Sequence, residues 1–175
     1  MFKTERCVLT TFQESDCEDV SKLFTNQEVR RYLGGIRDAD SLKETLESML
    51  TPQPAAYYWV VRGESTKEFI GLISLDLHHD GIDCEVSYQL LPDWWGKGYA
   101  AETVTVIIDF ALNSLKLPAV VAETQSENFA SCRLLEKLGM GLERKVIRYG
   151  AEQSIYAIRC LKSDGTQGLL PTSSE

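Results

Sequence analysis

The 175-residue chain contains no apolar run long enough to span a membrane, and Met1-Phe2-Lys3-Thr4-Glu5-Arg6 leads into a strand-like segment instead of a signal peptide. A cytoplasmic location is therefore expected. Cysteine is sparse and unpatterned: Cys7, Cys17, Cys84, Cys132 and Cys160 are odd in number and lack CxxC spacing, so reduced, packed thiols are expected. Positive charge is in deficit, with 18 Lys and Arg against 26 Asp and Glu, a net charge of −8. That balance argues against binding a nucleic-acid backbone. It is compatible with a cationic substrate such as an amine or a basic peptide, and equally with acidity that serves only solubility. There are two histidines, His78 and His79. Adjacent residues on a strand point to opposite faces, so these two are poor joint ligands and no metal is expected. Internal repeats, low-complexity segments and a GxxxxGK[ST] phosphate loop are also missing.

What is present reads as one domain, with 43% hydrophobic and 25% charged residues. A first strand is predicted over residues 6–12. Ser15 and Glu18 then match an S-x-x-E capping box opening a helix whose buried stripe is Val20, Leu23 and Phe24. A short helical turn over residues 28–33 ends at Gly34-Gly35, and a second helix over 39–50 is stopped by Pro52 and Pro54. These early helices are packing elements or an acceptor-binding lid. Strands follow over 56–61, 68–79 and 83–91, the last two joined at Asp80-Gly81. In residues 83–91 the alternation places Val86, Tyr88 and Leu90 on one face and Glu85, Ser87, Gln89 and Leu91 on the other. After Gly98, Val104, Ile107, Ile108, Ala111, Leu112 and Leu115 form the apolar stripe of a helix packed on a sheet. A short strand at 119–122 completes a right-handed parallel crossover. Asn128 opens a further helix closed by Gly139, and strands over 142–149 and 153–161 flank a turn at Gly150. Residues 163–175 read as a polar, frayed tail.

The junction from Leu90 to Glu102 joins the alternating strand to the helix through Gly96 and Gly98. Backbone amides of Gly98, Tyr99, Ala100 and Ala101 would be the unpaired donors of a first helical turn at the positive end of its dipole, a setting that holds phosphate. Gly96-x-Gly98-x-x-Ala101 also satisfies a dinucleotide fingerprint, with Glu123 where a ribose-binding acid would stand. Against that reading, Pro92 to Trp95 separate the strand from the first glycine, and the strand alternates like a one-sided antiparallel strand. Too little chain follows for a doubly wound sheet.

The chain resembles the GNAT acetyltransferase superfamily, in the branch that includes the ribosomal-protein N-terminal acetyltransferases. The resemblance rests on Glu85-Val86-Ser87-Tyr88-Gln89-Leu90-Leu91-Pro92, on Trp94-Trp95-Gly96-Lys97-Gly98-Tyr99-Ala100-Ala101-Glu102, and on the segment from Asn128-Phe129-Ala130-Ser131-Cys132 to Leu138-Gly139-Met140. It implies a single α/β (α+β) domain over residues 1–162. Its mixed, mostly antiparallel sheet would have about seven strands, splayed between the fourth and fifth and flanked by about four helices. It implies that acetyl-CoA places its pyrophosphate on the turn Trp95, Gly96, Lys97, Gly98, Tyr99, Ala100 and Ala101, while pantetheine pairs with backbone near Gln89 and Leu91. Trp95 departs from the family's general [Q/R]-x-x-G-x-[G/A] pattern at its first position.

The implied reaction is direct transfer of an acetyl group to a primary amine, with a protein or peptide N-terminal α-amine among the acceptors. At pH 7 an α-amine of pKa near 8 costs about 1.4 kcal/mol to deprotonate and a lysine about 4.6. Glu85 is the first candidate base, matching the family's catalytic glutamate, and Glu123 the second. A structural carboxylate paired with a neighbouring strand is the other reading of Glu85. Asn128 is a helix N-cap that by resemblance orients pantetheine, and Ser131, one turn on, hydrogen bonds or protonates the thiol. Many superfamily members carry a tyrosine acid near position 135; Leu135 stands here, which shifts that role to Ser131 or an ordered water. The alternatives are an acetyl-CoA-binding regulatory module without catalysis and, third, a dinucleotide oxidoreductase. The acceptor's identity stays open, as does the choice between monomer and homodimer.

Overall fold

A computed structural model of the protein describes residues 1–160. The expected tail at 163–175, and Leu161 at the end of the expected last strand, lie outside the described residues. Thirteen helices and strands build the fold, in the order β1 (Phe2–Lys3), β2 (Cys7–Thr11), α1 (Cys17–Thr25), α2 (Gln27–Arg30), α3 (Ala39–Leu50), β3 (Tyr57–Gly63), β4 (Phe69–Leu77), β5 (Cys84–Leu90), α4 (Tyr99–Asp109), β6 (Ala119–Gln125), α5 (Phe129–Lys137), β7 (Gly141–Arg148) and β8 (Ala151–Arg159). The strands form one sheet in the order β1-β2-β3-β4-β5-β6-β8-β7. Every neighbouring pair is antiparallel except β5 and β6. One parallel pair among the described strands leaves no doubly wound sheet for a dinucleotide.

The expected sheet of about seven strands gains an eighth, because Phe2 and Lys3 pair with Leu9 and Val8. Phe2 is held there by edge contacts to Trp59 and Phe110, with ring centroids 5.7 and 5.1 Å away. The first helix is also capped differently from the S-x-x-E reading. Ser15 falls inside a 3-10 turn, Glu14–Asp16, and it is Asp16 Oδ2 that accepts from the Gln13 amide at 3.1 Å. Asp16 takes that place because it also pairs with Arg62 of β3, 2.9 Å away. Residues 28–33 contribute only the four-residue α2, capped by Asn26 Oδ1 accepting from Glu28 and Val29. The helix expected to run to Leu115 does so, but its last turn, Phe110–Ser114, widens to π geometry, with the Leu115 amide donating to the Phe110 carbonyl at 3.0 Å.

Register divides the sheet into two faces. Leu75 opposite Val86 and Ile73 opposite Tyr88 face α4 and α5, where the larger core lies. Asp76 opposite Glu85, Ser74 opposite Ser87 and Leu72 opposite Gln89 face α1 and α3. Between β5 and β6 the ladder holds at Cys84–Val120 and Glu85–Val121 and then ends. Beyond that point the two strands splay, which is the opening expected between the fourth and fifth predicted strands.

Candidate functional site

The glycine turn lies at the end of β5. A 3-10 turn, Pro92–Trp94, follows the strand, and Trp95 Nε1 donates to the Leu90 carbonyl at 2.7 Å. Gly96 and Gly98 have φ of 69° and 85°, left-handed values that suit glycine. Gly98 is the N-cap of α4 and offers no side chain to it, so the first-turn amides of Tyr99, Ala100 and Ala101 keep their donors for a ligand. A Cβ built on Gly96 would meet nothing within 4 Å, so the turn is open to an anion. Two cations flank it. Lys97 Nζ donates to the Asp93 carbonyl at 2.7 Å. Arg6, which the sequence reading passed over, stacks 4.1 Å from the Tyr99 ring centroid, donates to the Lys97 carbonyl at 3.0 Å and pairs with Glu102 at 2.7 Å. Arg6 lies more than ninety residues from its partners, so no local motif could have marked it.

Gln89 and Leu91 are placed differently from the expected pantetheine contacts. The Leu91 amide donates to the Ile70 carbonyl at 2.9 Å and its own carbonyl accepts from Trp94 at 3.0 Å. The Gln89 carbonyl points at Gly71, where an added Cβ would come within 2.2 Å of it. The Leu91 amide and the Gln89 carbonyl are therefore turned toward β4. Because a strand alternates these groups from side to side, those of Tyr88 and Leu90 face the opening, a shift of one residue from the expected register. The Gln89 side chain accepts from Arg30 Nη1 at 3.4 Å on the α1/α3 side.

Glu85 stands where the β5–β6 ladder ends. Its Oε1 accepts from the Glu123 amide at 3.3 Å, so the carboxylate spans the mouth of the splay. Burial pushes Glu85 up to about 7; the cross-strand neighbour Asp76 and Glu123 push the same way, while His78 and the Glu123 amide oppose. Asp76 is itself raised by burial. Glu123 behaves oppositely. Burial alone would raise it, but hydrogen bonds from His78 and Arg148 hold it below the usual carboxylate range. Glu123 Oε2 lies 2.9 Å from His78 Nε2 and 2.6 Å from Arg148 Nη1. A carboxylate so paired is a structural anchor that keeps its charge, whereas Glu85 has no such cation beside it.

The sequence reading set His78 and His79 on opposite faces of a strand, and the structure corrects it. β4 ends at Leu77, so the pair lies in the turn and the two rings approach to 3.9 Å between centroids. His78 Nε2, a His79 nitrogen and a Glu123 oxygen lie within 4.8 Å of one another. Arg148 joins two members of this group, its Nη1 3.1 Å from His79 Nδ1 and 2.6 Å from Glu123 Oε2.

On the other face of β5, Asn128 caps α5 by accepting from the Ser131 amide at 3.3 Å. Ser131 Oγ lies 2.7 Å from the Tyr88 hydroxyl. The alternation had placed Tyr88 among core residues, and only the fold brings it to Ser131. Leu135 is buried in the core, and Cys132, next to Ser131 in sequence, is half-buried. On the Glu85 side, a cleft of about 350 Å³ runs between α1, α3 and the sheet, lined by Phe24, Glu44, Met49, Tyr58, Ser74 and Gln89 among others. No helix among the described residues is long and apolar enough to cross a membrane.

Comparison with known proteins places these features in context. Residues 6–141 match the family model described as an acetyltransferase (GNAT) domain. The uncharacterized N-acetyltransferase YoaA of Bacillus subtilis is 29% identical over 156 residues, 85% of this chain and 87% of that protein. Among solved structures, a GNAT-family acetyltransferase from Bacillus anthracis superposes with a TM-score of 0.79 at 23% identity, covering 90% of this chain and 96% of that one. Spermidine N-acetyltransferase from Vibrio cholerae, in complex with CoA and spermine, superposes with a TM-score of 0.75 at 21% identity, covering 87% and 95%. With the family model spanning most of its length, the chain belongs to the GNAT family of acetyltransferases, enzymes that take their acetyl group from acetyl-CoA.

Proposed function

We propose that this acetyltransferase moves the acetyl group directly from acetyl-CoA to a primary amine that enters through the α1/α3 cleft, with Glu85 as the base. The carrying observation is Glu85 itself, a half-buried carboxylate at the strand opening whose pKa is raised to about 7. Acetyl-CoA supplies the thioester, its pyrophosphate on the amides of Tyr99 to Ala101 and its pantetheine along the Tyr88 edge of β5. Asn128 fixes the first turn of α5, and Ser131 offers its hydroxyl to the sulfur. The free cysteines fit a reducing compartment such as the cytoplasm.

An N-terminal α-amine, as in the ribosomal-protein branch, is the acceptor class this base fits best. A base near 7 lies about one unit below such an amine and more than three below a lysine, so only the α-amine is deprotonated at small cost. A polyamine, the kind of ligand bound by the Vibrio cholerae enzyme, is the second reading, favoured by Glu44 in the cleft and the Asp76–Glu85 pair beside it. A thiol-release screen across N-terminal peptides, polyamines, aminoglycosides and amino acids separates the two. Peptide turnover that rises with pH through a midpoint near 7 is expected. Faster turnover of spermine than of any peptide would favour the second reading, and acetyl-CoA binding without transfer to any class would overturn both.

A further inference from the structure

The Tyr88 hydroxyl lies at the splay on the Ser131 side and has no task in the proposed reaction. It projects from β5 between the buried Val86 and Leu90, and its hydrogen bond among the described residues is the 2.7 Å contact to Ser131 Oγ. The phenol is half-buried, and burial pushes it up to about 12, so its proton stays on oxygen through the neutral range. A phenol is also a stronger acid than an aliphatic alcohol, which makes Tyr88 the donor of the pair and Ser131 the acceptor. The Ser131 amide is already committed to Asn128 Oδ1. With its lone pair turned to Tyr88 and its backbone held by the cap, the Ser131 hydroxyl keeps its own proton for a third group.

We infer that Tyr88 is a positioning residue that orients the Ser131 hydroxyl as a hydrogen-bond donor to the sulfur of CoA as the acetyl group leaves. The inference rests on the acetyl-CoA reading above. The bond between carbonyl carbon and sulfur breaks, the bond between carbonyl carbon and amine nitrogen forms, and the sulfur keeps the electron pair. The α-ammonium loses its first proton through Glu85 to solvent, and the second, shed from nitrogen as the carbon–nitrogen bond forms, is taken up by the Glu85 carboxylate so regenerated. Neither Ser131 nor Tyr88 ends the step short of a proton, since a phenol near 12 would have to yield one uphill to a thiolate of ordinary thiol acidity, about 8.5. The pair lowers the energy of the thiolate by hydrogen bonding alone. The chain thereby brings a phenol to the leaving group from β5, through Ser131, at a site where α5 carries Leu135 in the core.

The test reads the thiol directly and needs no acceptor. CoA carrying carbon-13 on the methylene next to sulfur is bound to wild type, Tyr88→Phe, Ser131→Ala and the double variant, and its shift is titrated from about pH 6 to 10. In the wild type the bound thiol is expected to titrate below free CoA. Losing one charge-assisted donor raises it by about one unit in Ser131→Ala, and losing only its orientation raises it by about half a unit in Tyr88→Phe. The double variant is expected to match Ser131→Ala, because Tyr88 acts through Ser131. CoA affinity by calorimetry should stay within about threefold throughout, as the pyrophosphate contacts are untouched. A Tyr88→Phe titration identical to wild type, or one that adds to Ser131→Ala, overturns the inference while leaving the acetyl-CoA reading in place. Absence of CoA binding to the wild type overturns both.

Discussion

On its α4/α5 side β5 presents Val86, Tyr88 and Leu90 to a core of eighteen buried residues, whereas Glu85, Ser87 and Gln89 lie on the side of a cluster of eight, where Gln89 lines an open cleft. The first face is closed and its polar groups are paired: Ser131 with Tyr88, the Ser131 amide with Asn128. The second carries Asp76 directly opposite Glu85, both raised by burial, and neither joins an ion pair with Lys or Arg among the described residues. α3, which walls that cleft, has no fully buried residue. A donor that is the same in every turnover can be met by fixed backbone and packed side chains. In the proposed reaction, an acceptor that brings its own positive charge is met by carboxylates left without one.

The largest break in this contrast is expected from Glu85→Gln. Removing a base costs on the order of 100-fold or more in turnover. The wild-type rate should rise through about pH 7 and level off, since deprotonated Glu85 is the active form, and the variant should lose that rise. Acetyl-CoA affinity should not move, because the change lies on the acceptor face. Unchanged turnover and pH profile in stopped-flow or thiol-release assays would remove Glu85 from the mechanism. Gly98→Val tests the other face. A side chain at φ 85° is strained, and its Cβ would lie 3.4 Å from Arg6 Nη2 at the cradle. Loss of one charge-assisted bond to phosphate predicts acetyl-CoA binding weaker by roughly 10- to 100-fold in calorimetry.

The same division explains what the sequence could show. The donor side is local: the glycines, the α4 first turn and the Asn128 cap are each contained within about ten residues, and each is set by backbone conformation that residue type controls. Gly96, Gly98, Asn128 and Ser131 are accordingly where their pattern put them. Contacts across long sequence separations left no such mark. Arg6 reaches the cradle from β2's entrance, Tyr88 meets Ser131, and His78 meets Glu123 only because β4 stops two residues short of the expected strand. The direction of the Gln89 and Leu91 backbone groups was not legible, because alternation fixes which face a side chain takes without fixing which edge the backbone groups serve. On the acceptor side the sequence offered Glu85 and little else, since the cleft is a space between elements and not a motif.

The charge left on the acceptor face has a cost that stability measurements can read. Glu85 titrates near 4.5 when unfolded and near 7 when folded, so the stability it contributes is complete below about pH 4.5 and lost as pH rises to about 7. Glu85→Gln keeps an acceptor for the Glu123 amide without the charge. Above pH 7 it should therefore unfold later than wild type, by roughly 1–3 kcal/mol or several degrees, and the gap should narrow at pH 5. A variant no more stable than wild type at pH 8 would mean that the buried charge is compensated in solution.

The smallest effect is expected at the wall of the cleft. Met49 lies on α3, half-buried against the smaller cluster and lining the cleft, and it touches neither the glycine turn nor the Tyr88–Ser131 pair. Met49→Ala enlarges the space without altering charge. A change of this size in an apolar wall is worth about 1–3 kcal/mol between competing ligands, so the ratio of kcat/KM for a bulky and a small amine should shift by about tenfold in favour of the bulky one. Acetyl-CoA affinity should remain within about twofold, since the donor is held from the opposite face of β5. A fall in acetyl-CoA affinity equal to the change in acceptor preference would show that the two faces are coupled through α3, and the division of labour argued from their packing would not hold.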